Sequence, residues 1–226
     1  MTGPGFLIPI VFRIGPLAIT QTVVVTWLLM LALVTFSWLA TRRLGIAPGP
    51  LQVAVEGAVT AMGEAVRSVL PEQAPQVLPF IATLWIFITA ANLAGLIPGL
   101  ASPTADLSTT TALAVLVFLS VHWFGIRSSG LKAYLHHYLQ PSAFLFPFQI
   151  ISEITRSVAL AVRLFGNMMS LDMAALLVLL VAGFLVPVPI LMLHVIEALV
   201  QAYIFGMLAL IYIAGAIQSR ETTKNS

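Results

Sequence analysis

The sequence predicts an all-α polytopic membrane protein: five membrane-spanning helices plus one amphipathic surface helix, with the last two spans unusually long. Three observations carry that prediction. Of the 226 residues, 60% are hydrophobic and only 8% charged, whereas soluble domains run near a quarter charged. The mean hydropathy is +1.05. The eight acids and ten bases are spaced so that charge-free runs are left at 14–41, 73–105, 107–126, 173–196 and 198–219. A span needs about 20 mostly apolar residues, and runs of this length supply them.

Composition also removes several functions. A net charge of +2 is too small for a nucleic-acid binder, even with a sequence pI near 9.3. There is no cysteine, which rules out disulfides, thiol catalysis and cysteine metal sites. The first apolar run is too long for a signal-peptide core and reads as a retained helix. No internal repeat or low-complexity tract interrupts the chain.

In order, residues 1–18 hold three prolines and three glycines and read as a short external arm. One membrane domain is expected over 19–220, with a short tail at 221–226. Its first helix covers about 19–40, stopped by Arg42 and Arg43 and then by Gly45, Pro48, Gly49 and Pro50. Over 51–70, Glu56, Glu64 and Arg67 alternate with Val53, Val55, Val59, Met62 and Val66. This is the pattern of a helix lying in the membrane interface, or of a solvated connecting helix. The next helix covers about 77–97 and ends at Pro98-Gly99; the fourth, after Pro103 and Asp106, covers about 107–126. A polar loop with Arg127, Lys132, His136, His137 and Pro141 leads to two long stretches, about 144–184 and 189–218. The first of these would measure about 60 Å, twice the bilayer core, so it must break, project or tilt.

Basic residues in short loops set orientation. With the N-terminus outside, the cytoplasmic side receives Arg42, Arg43, Arg67, Arg127, Lys132, Arg220 and Lys224, and the external side only Arg13. The C-terminus is then cytoplasmic.

Six polar groups fall where lipid forbids them: Glu153, Arg156, Arg163 and Asp172 in the fifth span, His194 and Glu197 in the last. Each costs about 3 kcal/mol or more at the bilayer centre, so each faces protein or a wet cavity. On a helix, Gln149, Glu153, Arg156, Arg163 and Asn167 share an arc of about 80°, and His194, Glu197, Gln201 and Tyr212 one of about 60°. Asp172 projects from another side of its helix. A hairpin between Gly183 and Pro189 sets Arg163 within about a turn of Gln201, and Asp172 near the level of His194. Glu153 and Arg156, one turn apart, can pair and simply hold the bundle. Arg163 has no acid nearer on its face than Glu153, so its counter-ion is expected to come and go. Asp172, His194 and Glu197 suit either interhelical pairing or proton relay. His122, His136 and His137 read as interfacial, and the four tryptophans receive no chemical role. Neither a His-Glu-x-x-His zinc helix, a Gly-x-Ser-x-Gly elbow nor a phosphate loop occurs, and no metal or cofactor is expected.

The run Arg163-Leu164-Phe165-Gly166-Asn167-Met168 resembles that of subunit a of the rotary F-type ATP synthase. So do Leu51-Gln52-Val53-Ala54-Val55-Glu56, Asn92 with Leu96-Ile97-Pro98, Pro103-Thr104-Ala105-Asp106, and Gln201-Ala202-Tyr203-Ile204-Phe205. The resemblance covers about 40–220. It implies that Arg163 faces a rotating ring of c subunits, attracts each passing ionised carboxylate, and separates two aqueous half-channels. Asn167, Asp172, His194, Glu197 and Gln201 would line or approach the external half-channel. Gln149, Glu153 and Arg156 would belong to the cytoplasmic one. The last two helices would lie steeply tilted along the ring. The expected partners are the c-ring, the subunit b peripheral stalk, the remaining synthase subunits and membrane lipid, in a bacterial plasma membrane, and no chemical bond is made by this chain.

The sequence departs from the commoner family pattern at Gln149, where glutamate is usual, and at Ser157, where proline usually follows the basic residue. Asp172 stands where glutamate is frequent, and Glu197 is an added carboxylate. Both protons and sodium therefore stay open as the coupling ion, with protons favoured. A stand-alone secondary transporter would need inverted repeats, which are absent. An intramembrane hydrolase would have to use Ser170 and His194 without any supporting motif.

Overall fold

The computed structural model describes residues 10–14, 17–42, 49–97, 100, 102–130, 146–182 and 187–218. Arg43, Gly45, Pro48, Pro98, Gly99, Lys132, His136, His137, Pro141, Arg220, Lys224 and residues 183–186, where the hairpin is expected, lie outside the described residues. Six α-helices make up the described chain, and five are long and apolar enough to cross a membrane. They are α1 (Gln21–Thr41), α2 (Pro50–Val69), α3 (Ala74–Ala94), α4 (Leu107–Ser129), α5 (Phe146–Ala182) and α6 (Pro187–Gln218), all spanning except α2. The N-terminal arm contributes an element that the sequence reading did not assign. Strands β1 (Ile10–Ile14) and β2 (Leu17–Thr20) form an antiparallel hairpin that runs straight into α1.

The ends of the helices follow local chemistry. Pro50 occupies the first turn of α2, where its missing N–H costs nothing. Asp106 caps α4: its Oδ1 accepts from the Ser108 backbone N–H at 2.9 Å and from the Ser108 hydroxyl at 2.8 Å. At the far end of α4, Gly130 adopts φ 78°, the left-handed conformation that closes a helix without a Cβ clash.

α3 and α6 form the centre. Ile81, Trp85 and Ile88 of α3 meet Ala202, Phe205, Ala209 and Ile213 of α6, with Leu160 and Leu164 of α5 and Val117 of α4 closing the core. The contact is antiparallel, and Gly206 sets its closeness. A Cβ at that position would overlap the Trp85 indole, which donates from Nε1 to the Tyr203 carbonyl at 3.2 Å and stacks on the Tyr203 ring.

α2 divides in two. Its second half docks on the bundle, with Val66 and the following Leu70 fully buried. Its first half exposes Val53 and Val59. α1 is peripheral: only Thr22 and Val25 are buried along it. α5 has 37 residues and α6 has 32, about 55 and 48 Å of helix against a hydrocarbon core of about 30 Å.

Gly206→Ala is expected to destabilise the bundle by about 1–3 kcal/mol through overpacking against the indole. Thermal unfolding in detergent measures this. The Gly206→Ala/Trp85→Phe pair should lose less than the two single changes added together; full additivity would mean that the two positions do not touch.

Candidate functional site

The polar residues singled out on α5 and α6 fall into two groups, one on each side of Arg163. Arg163 itself sits at the middle of α5, exposed, with no hydrogen bond or ion pair among the described residues. Directly inward from it the packing is apolar: Leu160, Leu164 and Met168 of α5 are all buried, as is Phe205 of α6.

Towards the C-terminal end of α5, Asn167 donates from Nδ2 to Gln201 Oε1 at 2.8 Å, so the two stripes meet as their angular positions predict. The Gln201 amide nitrogen is buried without a partner in the structure, and so is Nε2 of His194. Both side chains are only 2% exposed. Such groups are costly when unmet, and a buried water is their ordinary partner. Asp172 is half-buried and within electrostatic range of His194. Glu197 is half-exposed and unpaired among the described residues.

A network that the sequence reading did not identify stands beside His194. Asn92 near the end of α3 donates from Nδ2 to the Ala198 carbonyl of α6 at 3.2 Å. Its Oδ1 accepts from the Thr104 hydroxyl at 2.6 Å. The Thr104 and Ser102 hydroxyl oxygens lie 2.8 Å apart, and Ser102 donates to the Ala91 carbonyl at 3.0 Å. All three side chains are buried. Gly95 leaves room for them: a Cβ there would come within 2.9 Å of the Ser102 Cβ and 3.7 Å of the His194 ring. The signal available in the sequence was a cluster of small polar residues at both edges of the α3–α4 loop.

Towards the N-terminal end of α5 the pairing differs from the one expected. Glu153 does not take Arg156 as its counter-ion. Its Oε2 lies 3.4 Å from Nε2 of His122 on α4, while the Arg156 guanidinium sits over the Tyr212 ring of α6, 5.6 Å from its centroid. The i, i+3 spacing offered Arg156, but packing rotates that side chain towards α6, where an aromatic face receives it. His122, read as interfacial, is thus in contact with Glu153. Gln149 has a buried side-chain oxygen without a partner in the structure. Among the described residues no cluster of three potential ligands could hold a metal ion.

A family model described as ATP synthase A chain matches residues 23–214. The chain belongs to the ATP synthase subunit a family. It is 65% identical to ATP synthase subunit a 2 of Pelobacter propionicus over 95% of this chain and 94% of that one. It is 61% identical to ATP synthase subunit a 1 of Hahella chejuensis over 98% and 93% of the two chains. ATP synthase subunit a of Legionella pneumophila (strain Philadelphia 1) is 57% identical over 96% and 95%. As a member of this family the chain is a membrane-sector subunit that associates with other ATP synthase subunits and serves ATP synthesis and ion transport.

Asn92→Leu removes the hydrogen bond across the α3–α6 crossing to the Ala198 carbonyl and the one accepted from the Thr104 hydroxyl. The expected loss is about 1–3 kcal/mol, read as a lower unfolding temperature of the purified complex, with Thr104→Val milder.

Proposed function

We propose that this chain is the stator of a rotary motor, carrying protons to and from the carboxylates of a c-subunit ring through two half-channels separated by Arg163. The observation that carries the proposal is Arg163 itself: a permanent cation at mid-helix, on the outside of the bundle, with no counter-charge among the described residues. Lipid cannot supply that counter-charge, so a partner does. The surface beside Arg163 suits a close neighbour. Ala159, Gly166 and Ser170 flank it one turn away on either side and beyond, and a Cβ at Gly166 would meet nothing within 4 Å. Small residues let a second helix approach closely.

The two polar groups are offset along α5. Asp172 lies nine residues to one side of Arg163 and Glu153 ten to the other, about 14 and 15 Å along the helix axis. Between them Leu160 and Leu164 are buried and apolar. An ion entering at one group therefore has no polar route straight to the other and must travel on the ring. On one side the path would comprise Asn167, Asp172, His194, Glu197 and Gln201, and on the other Gln149, Glu153 and Arg156. The chain makes and breaks no bond; ATP chemistry belongs to the soluble part of the complex. With basic residues biased to one side, the N-terminal arm (1–18) lies outside, and the tail (221–226) lies in the cytoplasm of a bacterium whose plasma membrane holds domain 19–220. Subunit b is the further membrane partner.

A second reading, sodium as the ion, is favoured by one feature: Glu197 adds a half-exposed, unpaired carboxylate that would line an aqueous path as well for sodium as for protons.

Arg163→Ala is expected to abolish ATP-driven pumping while leaving the complex assembled, and Arg163→Lys to fail largely, because a point ammonium cannot replace the planar fork. Coupled pumping by Arg163→Ala vesicles at the native rate would defeat the assignment. Sodium-22 uptake by native vesicles that resists protonophores would shift the ion to sodium and leave the role of Arg163 intact. Asp172→Asn and His194→Ala should each slow passive conductance through a sector stripped of its soluble part. Unchanged conductance with an unchanged pH profile in both variants would make these residues structural.

A further inference from the structure

We propose that His122 and Glu153 form a one-proton station at the mouth of the half-channel on the Glu153 side. The proposal rests on the reading of the chain as an ion-carrying stator and adds to it a residue from α4.

The chemistry follows from two contacts. Nδ1 of His122 lies 2.8 Å from the Phe118 carbonyl oxygen. A carbonyl oxygen only accepts, so Nδ1 carries a hydrogen. The other ring nitrogen, Nε2, lies 3.4 Å from Oε2 of Glu153. In a neutral ring with its hydrogen on Nδ1, Nε2 is a lone pair. Set against an ionised carboxylate it would bring two acceptors together and repel. The contact attracts only when one proton lies in it, on Nε2 as an imidazolium–carboxylate pair or on Oε2 as an imidazole–carboxylic acid pair. Either way the pair holds one proton and has no net charge, the form that a half-buried site in a membrane protein tolerates best.

The surroundings hold that proton in place yet let it exchange. The Phe118 ring packs on the imidazole at 4.4 Å between centroids. The two side chains are 28% and 25% exposed, so the contact is neither sealed in the bundle nor fully open. Among the described charged groups nearby, Arg156 on α5 is turned over Tyr212 of α6, and Arg127 lies five residues further along α4 and is exposed. Gln149, one turn before Glu153, cannot titrate. Its neutral amide leaves the carboxylate of this stripe to Glu153, whose position is ten residues from Arg163, about 15 Å along the helix. The step assigned to the station is a single transfer: a proton passes from water to the pair, or from the pair to water, and only O–H and N–H bonds change.

The test uses the whole reconstituted complex in vesicles, with passive proton flux through the stripped sector followed by a pH-sensitive dye while the pH on the Glu153 face is varied. The native flux is expected to bend at one titration step; a flux without any such bend overturns the proposal before a variant is made. His122→Gln and Glu153→Gln should each lower the flux roughly tenfold, at the low end of what a positioned acid–base group contributes, and remove the bend. The double variant should be no worse than either single one, and the exchanged pair His122→Glu/Glu153→His should restore the bend. Native flux and profile in the single variants, or additive losses with the bend retained, would overturn it. If the single variants do not assemble, an assembled exchange variant without the bend overturns it, and one with the bend supports it. Arg163→Ala separates the two levels of inference. If that variant still pumps, the stator reading fails; if it does not pump while the pair variants keep the native profile, only the station fails.

Discussion

The height of α6 against α3 is the constraint on which the other helix positions depend. It is pinned at two levels, by Trp85 over Gly206 and bonded to the Tyr203 carbonyl, and by Asn92 bonded to the Ala198 carbonyl. A slip of one residue in α6 would rotate its side chains by about 100° and carry His194 and Gln201 off the seam. The register is then handed on. Gln201 receives Asn167 of α5, and Tyr212 receives Arg156, so the level of Arg163 is set by a contact between two other helices. Replacing a glycine by any residue with a side chain is therefore felt well beyond its immediate neighbours.

Much of this was legible in the sequence because lipid punishes charge so heavily. Gaps between charges marked the spans, and the few charges inside spans marked faces turned from lipid. Helical periodicity alone was enough to bring Asn167 and Gln201 together, since both stripes are narrow. The partner of Glu153 was not legible. Arg156 was the nearer base in sequence, whereas His122 comes from a helix whose other residues are nearly all apolar or small hydroxyl-bearing, so nothing in its pattern announced which way it turns. The burial of Trp85 was not legible for a related reason. Three of the four tryptophans do face outwards, but the slot that buries Trp85 is created by a missing side chain on α6, far away in the chain. The apolar stripe of α2 could not say whether it meets lipid or protein. In the structure its second half meets protein and its first half stays open.

The two ends of the bundle solve the problem of polarity differently. Beside His194, hydroxyls and amides bond to each other and to backbone carbonyls in a chain with few formal charges. At the other end the interactions involve ionisable groups, an imidazole with a carboxylate and a guanidinium over a phenol ring. The hydroxyls and amides of the first network are not themselves titratable, and they stand beside the ionisable His194. The second is a set of groups whose state depends on what arrives from solution. Between them lie the buried apolar side chains of Leu160 and Leu164.

α1 has a consequence of another kind. Only 6% of its most apolar stretch is buried by the rest of the chain, so nearly its whole length is left to meet lipid or a neighbouring subunit. Lipid does not distinguish one branched side chain from another as a packed core does, and a helix held this way enters the bilayer on its own hydrophobicity before any docking takes place. Evolution is then free to exchange leucine, valine and phenylalanine along it, while the helices behind it are held to side chains of one shape. Its role is that of a tether: it anchors the arm on one side and delivers α2 on the other, adding little to the cohesion of the bundle.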